Sequence, residues 1–375
     1  MLIGVPKEIK SDEYRIGLTP ESVESLTQSG HQVMIENNAG LGIGKDNDAY
    51  EESGAEIVQT REEIFQRAEM IVKVKEPQLE ECALLKSDQI LFTYLHLAPD
   101  PDQVKALIES GCRAIAYESV RADDGTYPLL TPMSEVAGRM AVQAGATCLE
   151  KVKGGLGRLI GGVTDVDPAD VVVIGGGVVG YNSIEIAIGM QANVTVLDKS
   201  PERLDQLESI FGEKLNAVLA TEENNQACIK EADIVIGAVL IPGASAPKLI
   251  SRELVQSMRK GSVLVDVAID QGGCSETSKP TTHSDPTYVE EGVLHYCVAN
   301  MPGAVPMTST YALNNATLPY VLSLANEGFN KALSLDKGFC DGLNIHSGKV
   351  TITAVAEEQG YDYHDPIELI RGLDQ

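Results

Sequence analysis

The stretch Val171-Val172-Val173-Ile174-Gly175-Gly176-Gly177-Val178-Val179-Gly180 decides the fold of this chain. Its four consecutive β-branched residues predict a buried strand, and the glycine spacing G-x-G-x-x-G follows that strand directly. Gly175 permits a tight turn, Gly177 lets a diphosphate approach the backbone, and Gly180 lets the next helix pack against the strand. The N-terminus of that helix would face the phosphates. The stretch therefore predicts a dinucleotide-binding unit, and a glycine turn that binds no nucleotide is the alternative.

An acidic residue ends the next predicted strand, residues 194–197, at Asp198. It lies 18 residues beyond Gly180 (198 − 180 = 18), close to the spacing of about 20 expected for the acid that binds the ribose hydroxyls. A carboxylate at this position accepts hydrogen bonds from the ribose and repels a 2′-phosphate. The sequence therefore favours NAD over NADP, although Lys199 and Arg203 nearby weaken the preference.

On both sides of the glycine motif, short β-branched runs alternate with amphipathic helical runs, which predicts mostly parallel sheets covered by helices. We predict an α/β fold of two Rossmann-like, doubly wound domains, separated by a cleft and joined by long helices. Residues 1–130 plus 306–375 would form the substrate domain, and residues 131–305 the NAD-binding domain. The predicted strands are residues 2–5, 31–36, 70–75, 90–95, 113–118, 171–174, 194–197, 233–238, 262–267 and 294–299.

Two long helical regions adjoin the predicted domain boundaries. One covers residues 134–151, and Ser134 is expected to be its N-cap, with a possible contact to a diphosphate. The other begins at Thr308, and we expect Thr317 and Pro319 to divide it into two helices.

The composition is that of a globular protein, with 375 residues of which 43% are hydrophobic and 22% charged. The 29 basic and 55 acidic residues give a formal charge of −26, which disfavours nucleic acids and anionic membranes as partners. Seven cysteines without a C-x-x-C pair favour free thiols in a reducing cytoplasm. No apolar run reaches the length of a membrane span, and the first residues lack the basic start and long apolar stretch that are typical of a signal peptide, so we expect neither segment. We therefore expect a cytoplasmic protein.

Polar residues follow several predicted strands of the first domain, at the carboxyl ends where open α/β sheets bind ligands. Arg15 lies in the loop after the first strand, Lys75 ends the strand at 70–75, and His96 follows the strand at 90–95. Arg15, as a bidentate fork, and Lys75, as a point charge, could together hold a substrate carboxylate. Histidine changes protonation state near neutral pH, so His96 suits proton exchange with a carbonyl or hydroxyl oxygen. Solvated surface charges and a structural histidine are the alternatives.

Further polar residues follow other predicted strands. Glu118 ends the strand at 113–118, while Asp270 and Asn300 follow the strands at 262–267 and 294–299. Asp270 could exchange protons with an amine or water and stabilise an iminium cation, or it could cap the turn before Gly272. If the two domains face each other, these groups line one cleft with the nicotinamide between them.

The sequence has distinctive segments at residues 4–10 with 15–20, 73–77, 94–98, 132–139, 175–180, 266–273 and 296–303. These segments resemble the bacterial L-alanine dehydrogenase family, and the resemblance extends from residue 1 to about residue 335.

The resemblance implies reversible oxidative deamination of L-alanine to pyruvate and ammonia with NAD+ as hydride acceptor, in a protein that is typically a homohexamer. It implies that Arg15 and Lys75 bind the substrate carboxylate and that His96 and Asp270 are catalytic. The residues that would contact the cofactor by motif match are Ser134, Gly175, Gly177, Val178, Val179, Gly180, Asp198, Arg203, Ala220, Val239, Leu240, Val267, Ala268, Ile269, Asp270, Lys279, Val298, Ala299, Asn300 and Met301.

The sequence departs from the family pattern at several cofactor positions. Ala220 stands where a hydroxyl often contacts the cofactor, Lys279 replaces the usual arginine, and Arg203 replaces the usual lysine. Gly328 stands where some members have histidine, so we carry over no metal. These departures are expected to affect cofactor affinity more than chemistry.

Three alternative functions are considered. The soluble NAD-binding module of a transhydrogenase resembles this fold, but the combination of Arg15, Lys75, His96 and Asp270, and the lack of a following membrane segment, disfavour it. A saccharopine-forming or opine-type dehydrogenase would need an amino acid as co-substrate. A non-catalytic NAD sensor would bind NADH without turnover.

Overall fold

The computed structural model describes residues 1–239 and 246–372, and the chain divides into two compact units. Unit 1 comprises Met1–Met133 with Val305–Gln375, and unit 2 comprises Ser134–Ala304. Helix α6 includes the first boundary, and helix α11 begins directly after the second. The sequence predicted boundaries between residues 130 and 131 and between residues 305 and 306, and the assignment of the two parts to substrate and to NAD stays a prediction.

The strands, in chain order, are β1 Leu2–Val5, β2 Gln32–Glu36, β3 Glu56–Val58, β4 Met70–Val72, β5 Ile90–Thr93, β6 Arg113–Ala116, β7 Asp170–Ile174, β8 Asn193–Asp198, β9 Leu215–Leu219, β10 Ile234–Gly237, β11 Val263–Asp266, β12 Thr287–Glu290, β13 Val293–Tyr296, β14 Leu343–His346 and β15 Lys349–Val350. The α-helices are α1 Pro20–Gln28, α2 Asn47–Glu52, α3 Arg61–Arg67, α4 Leu79–Cys82, α5 Pro101–Ser110, α6 Thr131–Cys148, α7 Val178–Gly189, α8 Pro201–Phe211, α9 Glu222–Glu231, α10 Arg252–Ser257, α11 Pro306–Glu327, α12 Phe329–Leu335, α13 Lys337–Cys340, α14 Thr353–Gln359 and α15 Pro366–Gly372.

Helix α5 shows how local sequence sets these boundaries. The Asp100 side chain accepts a hydrogen bond from the Gln103 N–H, and Pro101 occupies the first turn, where its missing N–H is not needed. The helix ends at Gly111, whose left-handed backbone (φ 68°) suits glycine. Capping residue, proline and glycine together fix both ends of the helix.

The unit 1 sheet has the strand order β15-β14-β6-β5-β4-β1-β2-β3. The pairs among β1 to β6 are parallel, and β14 joins β6 in antiparallel orientation. The chain winds from β1 to β2 and β3 in one direction and then from β4 to β6 in the other. The strand order therefore reverses beside β1 and β4, where such sheets form a ligand crevice at their carboxyl ends.

The unit 2 sheet has the order β12-β13-β11-β10-β7-β8-β9, and it is parallel except for the β12–β13 pair. The order reverses at β7, the strand that enters the glycine motif. Val171 and Val173 of β7 pack in one apolar cluster, and Val172 and Ile174 pack in another. Because both faces of the strand are buried, its sequence is continuously apolar rather than alternating.

The architecture confirms the predicted α/β fold with two mostly parallel, doubly wound sheets. Within the described residues, no helix combines the length and the apolarity that crossing a membrane requires.

The predicted division of the helix after Thr308 is wrong, because α11 continues from Pro306 to Glu327 with Pro319 inside it. Proline removes one backbone hydrogen bond, but buried residues lie on both sides of it, including Leu313 and Val321. Asn314 also anchors the helix, since its side chain donates to the Gly17 carbonyl oxygen (2.9 Å). Tertiary packing therefore outweighs the local helix-breaking signal.

The N-cap expected at Ser134 is also wrong. Helix α6 begins at Thr131, so Ser134 is its fourth residue. Pro132 already suits the first turn of a helix, which moves the start of the helix ahead of Ser134.

Candidate functional site

Arg15, Lys75 and His96 lie beyond the carboxyl ends of β1, β4 and β5, which are consecutive in the unit 1 sheet. The sequence predicted that Lys75 ends its strand, but β4 ends three residues earlier, at Val72. The chain nevertheless continues alongside β5. The Thr93 hydroxyl donates to the Lys75 carbonyl oxygen (2.9 Å). The structure therefore brings the three predicted residues to one edge of the sheet.

Arg15 is a buried cation held by Glu13. Its Nε donates to Glu13 Oε1 (2.7 Å) and its Nη2 to Glu13 Oε2 (2.5 Å), while Nη1 lies 3.1 Å from Met133 Sδ. Burial alone would lower the pKa of Arg15, but the bond and charge of Glu13 outweigh it, and the pKa is raised. The Nε–Nη2 edge thus already binds a carboxylate, which the sequence analysis missed.

Lys75 is buried, and a second carboxylate, that of Glu8, binds its backbone. Glu8 Oε1 accepts the backbone N–H groups of Val74 (2.7 Å) and Lys75 (3.4 Å). Glu8 also pairs with the buried Lys73 (3.1 Å), which donates to Glu81 (2.8 Å). Burial raises the pKa of Glu8, although Lys73 opposes the shift. This network fixes the backbone that carries Lys75.

The surroundings of Glu76 show the local charge at this edge. Burial alone would raise the pKa of Glu76, but Lys75, Lys10 and His96 outweigh burial and lower it. Lys75 and Lys10 therefore place positive charge next to a carboxylate at this sheet edge, within a chain whose formal charge is −26.

His96 has a half-exposed side chain on a left-handed backbone, with φ 48°. Its ring stacks on Tyr94, with 5.7 Å between ring centroids and 6° between ring planes. Its backbone N–H donates to Glu118 Oε1 (2.6 Å), and its Nδ1 lies 4.0 Å from the same oxygen. The sequence predicts Glu118 at a strand end without a specific role. The neighbouring parallel strands β5 and β6 indicate that Glu118 lies near His96, but not which atoms its carboxylate binds.

In unit 2, the glycine turn has the backbone geometry that a dinucleotide needs. Gly175 has φ 97°, a left-handed conformation that favours glycine. A Cβ on Gly180 would lie 1.8 Å from the Gly175 carbonyl oxygen, so only glycine allows α7 to pack this closely. A Cβ on Gly177 would meet no heavy atom within 4 Å. Val178 and Val179 begin α7. These residues fit a diphosphate at the helix N-terminus.

Asp198, at the end of β8, holds the same turn. Its Oδ2 accepts the Gly176 N–H (2.6 Å), and its Oδ1 accepts the Ser200 N–H (2.9 Å). Arg203 Nε donates to the Gly176 carbonyl oxygen (2.6 Å). A carboxylate oxygen has more than one acceptor site, so Asp198 retains capacity for ribose hydroxyls while it supports the turn.

Most other predicted cofactor residues follow carboxyl ends of strands in this sheet. Ala220 follows β9, Val239 follows β10, and Lys279, which lies between β11 and β12, pairs with Glu290 (3.1 Å). The remaining members after β11 and β13 are Val267, Ala268, Ile269, Asp270, Val298, Ala299, Asn300 and Met301. Ser134 lies in α6, and Leu240 lies outside the described residues.

Asp270 is exposed in the 3₁₀ helix Val267–Gln271, directly after β11. Its Oδ1 accepts the N–H of Asn300 (3.1 Å), whose backbone is left-handed with φ 63°. The buried Asp266 anchors the loop, because it accepts the N–H groups of Ala268 (3.1 Å) and Cys274 (2.9 Å). No sequence pattern indicates this anchoring role of Asp266. Asp270 is therefore an accessible carboxylate on a firmly held loop.

Comparison with known proteins supplies the family. Residues 4–137 match the family model "Alanine dehydrogenase/PNT, N-terminal domain", and residues 141–353 match "Alanine dehydrogenase/PNT, C-terminal domain". The alanine dehydrogenase of Halomonas elongata is 54% identical over 99% of this chain and 100% of its own length. That of Methanococcus maripaludis is 54% identical (97% and 98% covered), and that of Bacillus subtilis is 52% identical (97% and 96%).

Solved structures agree with the sequence relatives. An L-alanine dehydrogenase superimposes with a TM-score of 0.93 at 49% identity, covering 96% of this chain and 99% of that one. A transhydrogenase from Sinorhizobium meliloti gives a TM-score of 0.82 at 24% identity, covering 94% and 100%, and therefore shares the fold. Since the two family models match most of the sequence and these relatives align with nearly all of it, the chain belongs to the alanine dehydrogenase/PNT family.

Proposed function

We propose that this chain catalyses the reversible oxidative deamination of L-alanine to pyruvate and ammonia, with NAD+ as the hydride acceptor. One observation carries the proposal. A chain more than 50% identical to alanine dehydrogenases gathers a buried arginine, a buried lysine and an accessible histidine at one sheet edge. The transhydrogenase alternative is disfavoured, because the likeness to such a protein is at the level of the fold.

The proposed substrate site is the edge of the unit 1 sheet at which Arg15 and Lys75 lie. Arg15 and Lys75 hold the carboxylate of pyruvate or alanine. Because Glu13 already fixes the guanidinium of Arg15, that side chain loses little freedom when the substrate binds.

Proton exchange is assigned to His96 and Asp270. In the reductive direction, His96 hydrogen-bonds the ketone oxygen and supplies a proton as ammonia adds to the carbon. Water then leaves to give an iminium ion. The carboxylate of Asp270 offsets its positive charge and relays protons.

The cofactor is assigned to unit 2. Gly175, Gly177 and Gly180 with the start of α7 would hold the diphosphate, and Asp198 would hold the adenosine ribose. When bound, NADH supplies the hydride that reduces the iminium carbon. The homohexamer implied by the family resemblance and the cytoplasmic location expected from the composition stay predictions.

The test is NADH oxidation with pyruvate, in the presence and in the absence of ammonium. We expect turnover that requires ammonium. Turnover that requires an added amino acid would instead indicate an opine-type or saccharopine-type dehydrogenase, and NADH binding without turnover would indicate a sensor. Either result would contradict the proposal.

Asp198→Ala is expected to raise the KM for NAD+ by about 10- to 100-fold, because a hydrogen bond to a charged group contributes about 1.5–3 kcal/mol. The ratio of NAD+ to NADP+ efficiency should fall as well, since the carboxylate no longer repels a 2′-phosphate. Steady-state kinetics with both cofactors measure these effects.

The matched control for that variant is Asp205→Ala, which removes an exposed carboxylate from α8, the helix that follows Asp198. It should leave both cofactor constants unchanged. If Asp198→Ala behaved like this control, Asp198 would not bind the ribose.

A further inference from the structure

Glu118 carries an unusual pair of hydrogen bonds. It lies in the 3₁₀ helix Tyr117–Ser119, directly after β6. Its carboxylate accepts the backbone N–H of Leu95 (3.1 and 3.2 Å to its two oxygens) and that of His96 (2.6 Å). Hydrogen bonds to an ionised acceptor are roughly twice as strong as neutral ones. The carboxylate therefore fixes two successive peptide groups at the point where the chain enters His96.

The backbone of His96 needs such support. A residue with a Cβ at φ 48° pays about 1–2 kcal/mol relative to a right-handed or extended conformation. The strained conformation persists when neighbouring contacts over-determine it. Glu118 holds the peptide, and the Tyr94 ring stacks on the imidazole. Tyr94 is itself fixed, because its hydroxyl donates to the Leu129 carbonyl oxygen.

The same carboxylate also faces the imidazole. Glu118 Oε1 lies 4.0 Å from His96 Nδ1, which is too long for a hydrogen bond but close enough for electrostatic attraction. A negative charge on this side favours the tautomer that carries its proton on Nδ1. The lone pair of the neutral ring then lies on Nε2, away from Glu118.

We propose that Glu118 is a positioning residue for His96. It holds the left-handed peptide of His96, which sets the position of the imidazole. It also keeps Nδ1 towards the carboxylate, so that Nε2 is the nitrogen that exchanges a proton with the substrate. The inference rests on the proposed catalytic role of His96. It adds that this role depends on Glu118, which directly follows β6.

A purely structural role for Glu118 is the competing explanation, and the chain offers a matched control for it. Gln359, at the end of α14, donates its Nε2 to the carbonyl oxygens of Leu97 (2.9 Å) and Ala98 (3.0 Å). Gln359→Ala therefore loosens the same loop just beyond His96 and leaves the 95–96 peptide bonds to Glu118 in place.

The experiment compares the wild type with Glu118→Ala, Glu118→Gln and Gln359→Ala. We expect kcat to fall about 100-fold in Glu118→Ala, the size of effect that a displacement of about 1 Å produces. In Glu118→Gln we expect a loss of about 10-fold, since the amide keeps one acceptor oxygen but not the charge. The KM for pyruvate and the NADH dissociation constant should stay within about threefold in both variants, because Arg15, Lys75 and unit 2 are unchanged. Gln359→Ala should lower the melting temperature while it keeps kcat.

Each outcome decides the matter. A wild-type kcat in Glu118→Ala, or an equal loss of kcat in Gln359→Ala, would overturn the positioning role. A rise in the KM for pyruvate with an unchanged kcat would also overturn the positioning role, because that result would indicate that Glu118 acts on substrate binding. A wild type without ammonium-dependent turnover would instead be a failure of the proposed function, and the same assay detects it before any variant is compared.

Discussion

Replacing His96 with alanine is expected to lower kcat for ammonium-dependent pyruvate reduction by about 10³-fold or more, while NADH still binds. The magnitude follows from the proposed role, since a positioned general acid–base contributes about 10²- to 10⁴-fold. NADH binding should change by less than about twofold, because the residues assigned to the cofactor belong to unit 2 and His96 belongs to unit 1. Stopped-flow or steady-state NADH absorbance measures kcat, and nicotinamide fluorescence, unobscured in a chain without tryptophan, measures binding.

The left-handed backbone of His96 makes a second variant necessary. Alanine at this position keeps the strain of the conformation, whereas asparagine tolerates it. His96→Asn therefore separates the loss of the imidazole from any change in the loop, and it should be as inactive as His96→Ala. Recovery of kcat in His96→Asn would show that the backbone, and not proton exchange, matters here.

A control histidine tests the specificity of the effect. His364 lies near the C-terminus of unit 1, outside the sheet edge described above. His364→Ala should keep the wild-type rate. Wild-type-like turnover in His96→Ala would end the catalytic role of that residue.

Local signals predicted most of the fold because each of them acts over a few residues. The β7 run and its glycine turn, and the cap, proline and glycine of α5, were readable because strand burial and helix capping depend on neighbouring positions. Pro319 led to a wrong prediction, the division of α11 into two helices, for the opposite reason. Whether a helix survives a proline depends on packing partners such as Gly17, nearly 300 residues away in sequence.

The candidate site shows the same division. Strand ends indicated where Arg15, Lys75 and His96 lie, since the carboxyl edge of a parallel sheet is set by the alternation of elements. Their partners could not be inferred in this way. The carboxylate of Glu118 curls back onto the peptide of a neighbouring loop, and Glu13 reaches Arg15 only in one conformation of the loop after β1. Such contacts depend on side-chain directions that no periodic pattern contains.

The pairing of Arg15 with Glu13 leads to the second prediction, in which stability and substrate binding separate. Arg15→Met should lower the free energy of unfolding by about 3–5 kcal/mol, the usual cost of removing one member of a buried ion pair. Glu13 is 6% exposed, so its carboxylate would lose the guanidinium while it stays largely out of water. The same variant should raise the KM for pyruvate by about 100-fold or more, because a bidentate charged contact to the substrate is lost. Denaturant unfolding and steady-state kinetics measure the two effects.

The double variant Glu13→Gln/Arg15→Met distinguishes the two roles of the guanidinium. The single variant leaves the buried charge of Glu13 without its guanidinium partner. Neutralising Glu13 removes that charge, so most of the lost stability should return. The KM for pyruvate should not recover, since neither glutamine nor methionine carries a positive charge that could pair with a carboxylate. Glu13→Gln alone keeps the guanidinium and should raise the KM far less. If the double variant regained both stability and wild-type KM, Arg15 would be a structural cation, and the carboxylate of the substrate would have to be held by Lys75 and other groups.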